Sequence, residues 1–219
     1  MLMYLVKTPK LIQSLFPNYV WRVPDQKKVL FLTFDDGPNE KITPWVLNQL
    51  SEYNAKATFF CVGKQIDSHP EIHQHLKASG HLVANHSFTH LNGWSSENIS
   101  YFHDVRQGAN RSKSTLYRPP YGHLKVKQAQ FLQRHYRIIM WDVMSGDFDE
   151  NIDANQVTSN VINHATEGSI IVFHDTLQAF PRLEKALPAI LSYFNHLGFT
   201  FENLNALKLK SSNNKIKYA

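Results

Sequence analysis

The sequence predicts a parallel α/β fold, a single domain closed into a TIM-like barrel. The first observation behind this is alternation. Seven strand-like runs, at residues 29–34, 57–62, 81–85, 115–118, 136–141, 169–173 and 199–204, are separated by helix-like segments. Such alternation implies parallel strands joined by crossover helices. About seven repeats suit a barrel, complete or not, with an open doubly wound sheet as the alternative. The second observation is that no glycine-rich phosphate loop follows the first run, which argues against a nucleotide site. The third is composition: 219 residues, 42% hydrophobic and 19% charged, fit one ordinary globular domain with a large core.

Each element has its own justification. Residues 1–6 are apolar but are followed by Lys7 and Pro9. That stretch is too short for a signal-peptide core or a membrane span, so no transmembrane segment and a cytoplasmic location are expected, with peripheral association or non-classical export as the alternatives. Leu11, Ile12, Leu15 and Phe16 make one face of a short helix, expected to pack on the body of the domain; a membrane-surface anchor is the alternative. Residues 29–34 are apolar, with β-branched and aromatic side chains, and Gly37-Pro38 breaks the run. A helix over 43–53 carries Trp45, Val46, Leu50 and Tyr53, and one over 70–79 carries Ile72 and Leu76 before Gly80. Further helices are expected over 97–112, 127–135, 154–165 and 182–197, the last stopped by Gly198. Cys61, the sole cysteine, excludes an intramolecular disulfide and reads as a small core residue.

The formal charge is +5, from 23 basic and 18 acidic residues. Much of the excess lies at Lys7, Lys10, Lys208, Lys210, Lys215 and Lys217. Such a diffuse excess reads as a solvated surface and tail. No nucleic-acid partner is expected, and attraction to an anionic polymer stays open.

Ionisable residues gather where the predicted strands end. The ends carry Asp35-Asp36, then Asn85-His86 with His90 close by, then Arg118, then Trp141-Asp142 with Asp147, then His174-Asp175. In barrels of this kind chemistry collects at that rim. Two adjacent carboxylates are costly unless a metal ion or a mobile proton uses their charge. His86 and His90 are four apart and on a helical turn would share a face. With Asp36 they make three N/O ligands and leave positions for water, as in an open catalytic site for zinc or a similar ion. His69 and His73 share the spacing but read as surface residues. Arg118 fits either a surface salt bridge or, favoured by its strand-end position, an inward guanidinium paired with a carboxylate. Asp147 could cap a helix or sit in a loop. His174 alone would be a satisfied core histidine, but beside a metal site it becomes a candidate acid.

Five motifs occur in order: TFDDGP at 33–38, HSFTH at 86–90, RPPYG at 118–122, WDVMSGDF at 141–148 and IVFHD at 171–175. As a set they resemble the polysaccharide deacetylases, carbohydrate esterase family four, which includes chitin, peptidoglycan and acetylxylan deacetylases. The resemblance implies a distorted (β/α)7 barrel. Residues 1–25 would be an extension packed on it, and 26–219 the catalytic domain. It implies a metal-dependent hydrolase that removes acetyl groups from N-acetylated amino sugars of an oligo- or polysaccharide, acting as a monomer. Asp36, His86 and His90 would hold a divalent ion, zinc first, with cobalt, manganese or nickel as alternatives. Asp35 would be the general base, paired with Arg118. His174 would be the general acid, oriented by Asp147 in preference to Asp142. The Tyr121 N–H would stabilise the oxyanion, and Pro120, Tyr121 and Phe148 would meet substrate. The fourth motif departs from the family pattern: Met144 replaces an acidic or small polar residue and Phe148 a tryptophan, which bears on substrate range. An O-acetyl (xylan-type) esterase and a non-catalytic carbohydrate-binding protein are the alternative readings. A metal-free amidohydrolase is disfavoured by the retained Asp36, His86 and His90.

Overall fold

The computed structural model describes residues 4–205 and 207. The strands are β1 (Val29–Asp35), β2 (Thr58–Cys61), β3 (Leu82–Asn85), β4 (Leu116–Tyr117), β5 (Arg137–Ile138), β6 (Val143–Met144), β7 (Ile170–His174) and β8 (Thr200–Phe201). All pair in parallel, in the order β5-β4-β3-β2-β1-β7-β6, with β8 added to β1. The two ends of this path, β5 and β6, are neighbours in the chain, joined only by residues 139–142. One bent stretch therefore closes the ring. At its start Ile139 N donates to Tyr117 O (2.8 Å), and at its end Asp142 N donates to Ile170 O (3.0 Å). The run expected over 136–141 thus divides. Its first part is β5, and β6 lies beyond its end, since two residues are too few to show a period.

The helices are α1 (Lys10–Leu15), α2 (Ile42–Glu52), α3 (Gly63–Ser68), α4 (Pro70–Ala78), α5 (Asn98–Ser112), α6 (Val126–Leu132), α7 (Ala154–Ile162) and α8 (Phe180–His196). Strand periodicity explains how they pack. Along β1, Leu30, Leu32 and Phe34 point outward into a core shared with Val46 and Leu50 of α2 and Leu187 and Ile190 of α8. Phe34 stacks between Phe59 and Phe173 at 5.0 and 5.6 Å. The alternate residue Phe31 faces the interior of the ring with Phe60, Ala84, Leu116 and Ile139. Both faces of β1 are therefore buried, as a central parallel strand requires. Each such Leu or Phe contributes about 1.5–3 kcal/mol by leaving water. Cys61 is a fully buried core residue.

The N-terminal segment lies against the seam of the ring. Val20 N donates to Ile138 O (2.9 Å), Met140 N to Val20 O (2.7 Å) and Val23 N to Gly168 O (2.8 Å). Lys7 Nζ reaches the buried Asp142 carboxylate at 2.7 Å and His164 O at 2.9 Å. The expected apolar face of α1 is corrected: Ile12 packs against the body, but Leu11 and Leu15 are 71% and 65% exposed. This short helix is fastened by polar contacts instead, with Trp21 Nε1 donating to Phe16 O and Gln13 Nε2 to Thr8 O. Among the described residues no helix is long and apolar enough to cross a membrane. Residues 1–3 and the lysines at 208, 210, 215 and 217 lie outside the described residues. Lys7→Ala leaves Asp142 buried with only Ser169 Oγ and Gln13 as side-chain donors. It is expected to lower unfolding free energy by about 1–3 kcal/mol. The urea midpoint reads this, and an unchanged midpoint contradicts the tether.

Candidate active site

The rim is built outward from the end of β1. Asp35 is the last strand residue and points into the ring, while Asp36 turns the chain with a left-handed φ of 78°. Gly37 follows because nothing larger fits: a Cβ there would collide with the Asp175 carboxylate. Asp175 accepts from Gly37 N (3.1 Å) and from Thr43 Oγ1, joining β7, the turn and α2. Burial pushes its carboxyl up to about 7, against the Thr43 hydrogen bond.

The loop after β3 carries His86 and His90, and it is not a helical turn. Ser87 and His90 both have left-handed φ values, 63° and 60°. Side chains satisfy the backbone instead. Asn85 Oδ1 accepts from Ser87 N and Ser87 Oγ from His90 N, each at 3.0 Å. Asp104 of α5 accepts from Phe88 N, Thr89 N and Thr89 Oγ1 at 2.7–3.1 Å. The loop brings both imidazoles to Asp36. His90 Nε2 lies 3.0 Å and His86 Nε2 3.4 Å from Asp36 Oδ1, and one ligand atom from each residue falls within 4.8 Å of the others. His86 Nδ1 is bonded to Arg118 O (2.8 Å), which leaves its Nε2 for the cluster. Neither imidazole makes a well-aligned hydrogen bond to the buried Oδ1. Burial alone would raise the Asp36 pKa, yet the imidazoles of His86 and His90 hold it well below the usual carboxylate range. A buried acceptor without a donor, facing two imidazole nitrogens, is the donor set of a divalent cation site.

Two ion pairs flank the cluster. Arg118 is fully buried and inward-facing. Its Nη1 donates to Asp35 Oδ1 (2.6 Å) and Thr33 Oγ1 (2.7 Å), its Nη2 to Met140 O (3.0 Å) and its Nε to Ile139 O (3.3 Å). Phe60 lies 4.0 Å beneath the guanidinium. On the far side Asp147 holds His174 twice, with Oδ1 2.8 Å from Nδ1 and Oδ2 accepting from His174 N at 2.7 Å. Burial opposes the imidazolium, but the Asp147 carboxylate dominates and the His174 pKa is raised to about 9. Asp142 does not reach this rim. It follows the bend after β5 and binds Lys7 and Ser169, so Asp147, after β6, supplies the carboxylate.

Pro120 is buried, and Tyr121 has φ 60° in the 3₁₀ turn Pro120–Gly122. That turn's hydrogen bonds use Gly122 N and His123 N, not Tyr121 N. The Tyr121 ring is 59% exposed and lies 4.7 Å from His90. Phe148 lies 5.2 Å from His174, and 5.0 Å from Tyr4 of the N-terminal segment. Tyr4, Tyr121, Trp141 and Met144 line a cavity of about 230 Å³. His69 and His73 stand apart from the cluster, both partly buried at the start of α4. Sequence reasoning missed the structural work of Asp104 and Asp175. A signal for Asp104 existed, since a carboxylate sits among Tyr101, Val105 and Gly108 on the buried face of α5. Asp104→Ala removes the acceptor that shapes the histidine loop. It is expected to weaken metal binding about 10–100-fold with helix content retained. Metal titration checks this, and unchanged affinity contradicts the account of the loop.

The chain is similar to known proteins in sequence and in fold. Residues 22–136 match the sequence profile of the polysaccharide deacetylases. A peptidoglycan-N-acetylglucosamine deacetylase of Bacillus cereus is 29% identical over 196 residues, covering 85% of this chain and 91% of that one. A bifunctional xylanase/deacetylase of Pseudobutyrivibrio xylanivorans is 30% identical over 200 residues, covering 88% of this chain but 32% of that one. The crystal structure of the Bc1960 peptidoglycan N-acetylglucosamine deacetylase superposes with a TM-score of 0.81 at 28% identity, over 86% of this chain and 92% of that one.

Proposed function

The chain belongs to the polysaccharide deacetylase family, and from that premise we propose that it removes acetyl groups from N-acetylated amino sugars of a peptidoglycan- or chitin-like glycan, using a divalent metal. The observation that carries this reading is the meeting, at one rim, of the Asp35–Arg118 pair, the Asp36, His86 and His90 cluster and the Asp147–His174 pair. A protein that only binds sugar has no use for all three.

Asp36, His86 and His90 would hold the ion, with zinc the first expectation and cobalt, manganese or nickel as alternatives. When bound there, such an ion supplies Lewis-acid polarisation of an acyl oxygen and lowers the pKa of water. Asp35 stands beside the ligand Asp36 in the chain and is kept in place by Arg118, so it receives the proton of the attacking water. The Tyr121 N–H, left outside the turn's own hydrogen bonds, donates to the acyl oxygen as charge grows on it. His174 gives its proton to the departing amine nitrogen, which would otherwise leave as an amide anion. Asp147 engages Nδ1, so Nε2 is the acidic position that remains. Phe148 offers an apolar wall beside His174 for the acetyl methyl.

Acetate release from N-acetylglucosamine oligomers, before and after chelation, tests the reading. Release that chelator abolishes and zinc or cobalt restores is expected. Release indifferent to chelator contradicts it. The acid makes a further prediction. Activity needs protonated His174, so kcat falls as pH rises through about 9. Asp147→Asn removes the cause of that elevation and is expected to move the alkaline limb down toward the ordinary histidine value of 6.5. An unmoved limb in the pH–rate profile assigns the limb to another group. His174→Ala is expected to lose ~10²–10⁴ in rate on an acetamide and less on an aryl acetate, whose leaving group needs no proton. Equal losses on the two substrates contradict its role as acid.

A further inference from the structure

The loop that leaves His90 presents an exposed tryptophan held in one pose. Trp94 is 61% exposed, yet its indole lies flat on the His123 imidazole, with centroids 3.6 Å apart and planes 5° from parallel. Its Nε1 donates to Leu124 O (3.3 Å) and its backbone N to Asn92 Oδ1 (2.9 Å); the same oxygen meets His123 Nδ1 at 3.2 Å. The preceding residue, Gly93, lies so close to the His123 carbonyl that a Cβ would collide with it, and the buried Gln128 donates to Gly93 O at 2.9 Å. A tryptophan that served only to fill surface would need none of these contacts. One indole face is covered by His123, so the other is held open to solvent.

The rings also connect Trp94 to the chemistry. Tyr121 lies 4.7 Å from the candidate metal ligand His90, His123 lies 5.9 Å from Tyr121, and Trp94 stacks on His123. Tyr121 and His123 thus link Trp94 to the side of the rim that carries His90. The face of an indole carries the negative lobe of its quadrupole. The C–H face of a pyranose is apolar and weakly positive, and it matches a flat, fixed aromatic surface. We propose that Trp94 is the stacking platform for a neighbouring sugar ring of the glycan, so that it sets a preference for oligomers over the single sugar. This rests on the deacetylase reading of the rim. Fixing the ring beforehand removes the ordering cost that a mobile side chain would meet on binding.

The test compares the wild type, Trp94→Ala and Trp94→Phe on N-acetylglucosamine and its tetramer. Tetramer binding is also followed by calorimetry, independently of turnover. In Trp94→Ala the tetramer-over-monomer preference in kcat/KM and the tetramer affinity are each expected to fall about tenfold. Trp94→Phe retains most of both. Equal preference and equal tetramer affinity in wild type and Trp94→Ala overturn the platform. Tetramer binding that depends on Trp94 without acetate release from any protein supports the platform and overturns the deacetylase reading instead.

Discussion

A single buried guanidinium holds the site and the barrel in register. Arg118 rises from the end of β4 and binds Thr33 and Asp35 of β1, while its remaining donors take the carbonyls of Ile139 and Met140 in the bend that joins β5 to β6. Those carbonyls lie where the strand ladder breaks and the ring turns to close. Buried peptide oxygens in such a break need donors, and a charged planar fork supplies several from one side chain. Removing a partner from a buried pair of this kind costs about 3–5 kcal/mol, because the remaining charge is stranded. Asp35 is thus fixed by the same group that seals the barrel, and the base of the proposed reaction inherits the rigidity of the fold.

The rest of the rim follows from how each carboxylate is matched. Asp35 has Arg118, Asp147 has His174 and Asp175 has a backbone N–H and a threonine hydroxyl. Asp36 alone faces two imidazole nitrogens without a hydrogen-bond donor to its buried oxygen. Four acids in one small region therefore have four different sets of partners. Environment separates them: one fixed by an arginine, one held ionised beside two imidazoles, one sustaining a charged histidine and one pushed toward its neutral form.

Much of this was legible in the chain. The alternation of apolar runs gave the parallel architecture, because strands buried on both faces read as continuous hydrophobic stretches. The motifs TFDDGP and HSFTH showed that Asp36, His86 and His90 sit at strand ends. The geometry joining them was harder to read. The helical turn suggested by the four-residue spacing is replaced by a loop, shaped by Asn85, Ser87 and Asp104, whose contacts depend on α5 lying across it. Asp142 was given a place at the rim because the run over 136–141 looked like one strand. The bend and β6 take Asp142 away from the rim to anchor Lys7, while Asp147, already the favoured partner, pairs with His174. The outward turn of Leu11 and Leu15 was also beyond pattern reading, since a helix this short is held by its neighbours' polar groups.

The central claim is that Asp36 and its histidines serve the ion while Asp35 serves the proton, two jobs given to adjacent residues. Bound metal and acetate release, measured on the same preparations of Asp35→Asn and His90→Ala, separate them most directly. The account predicts that Asp35→Asn keeps its metal and loses turnover, while His90→Ala loses both. Full turnover in Asp35→Asn, or undiminished metal in His90→Ala, would contradict it.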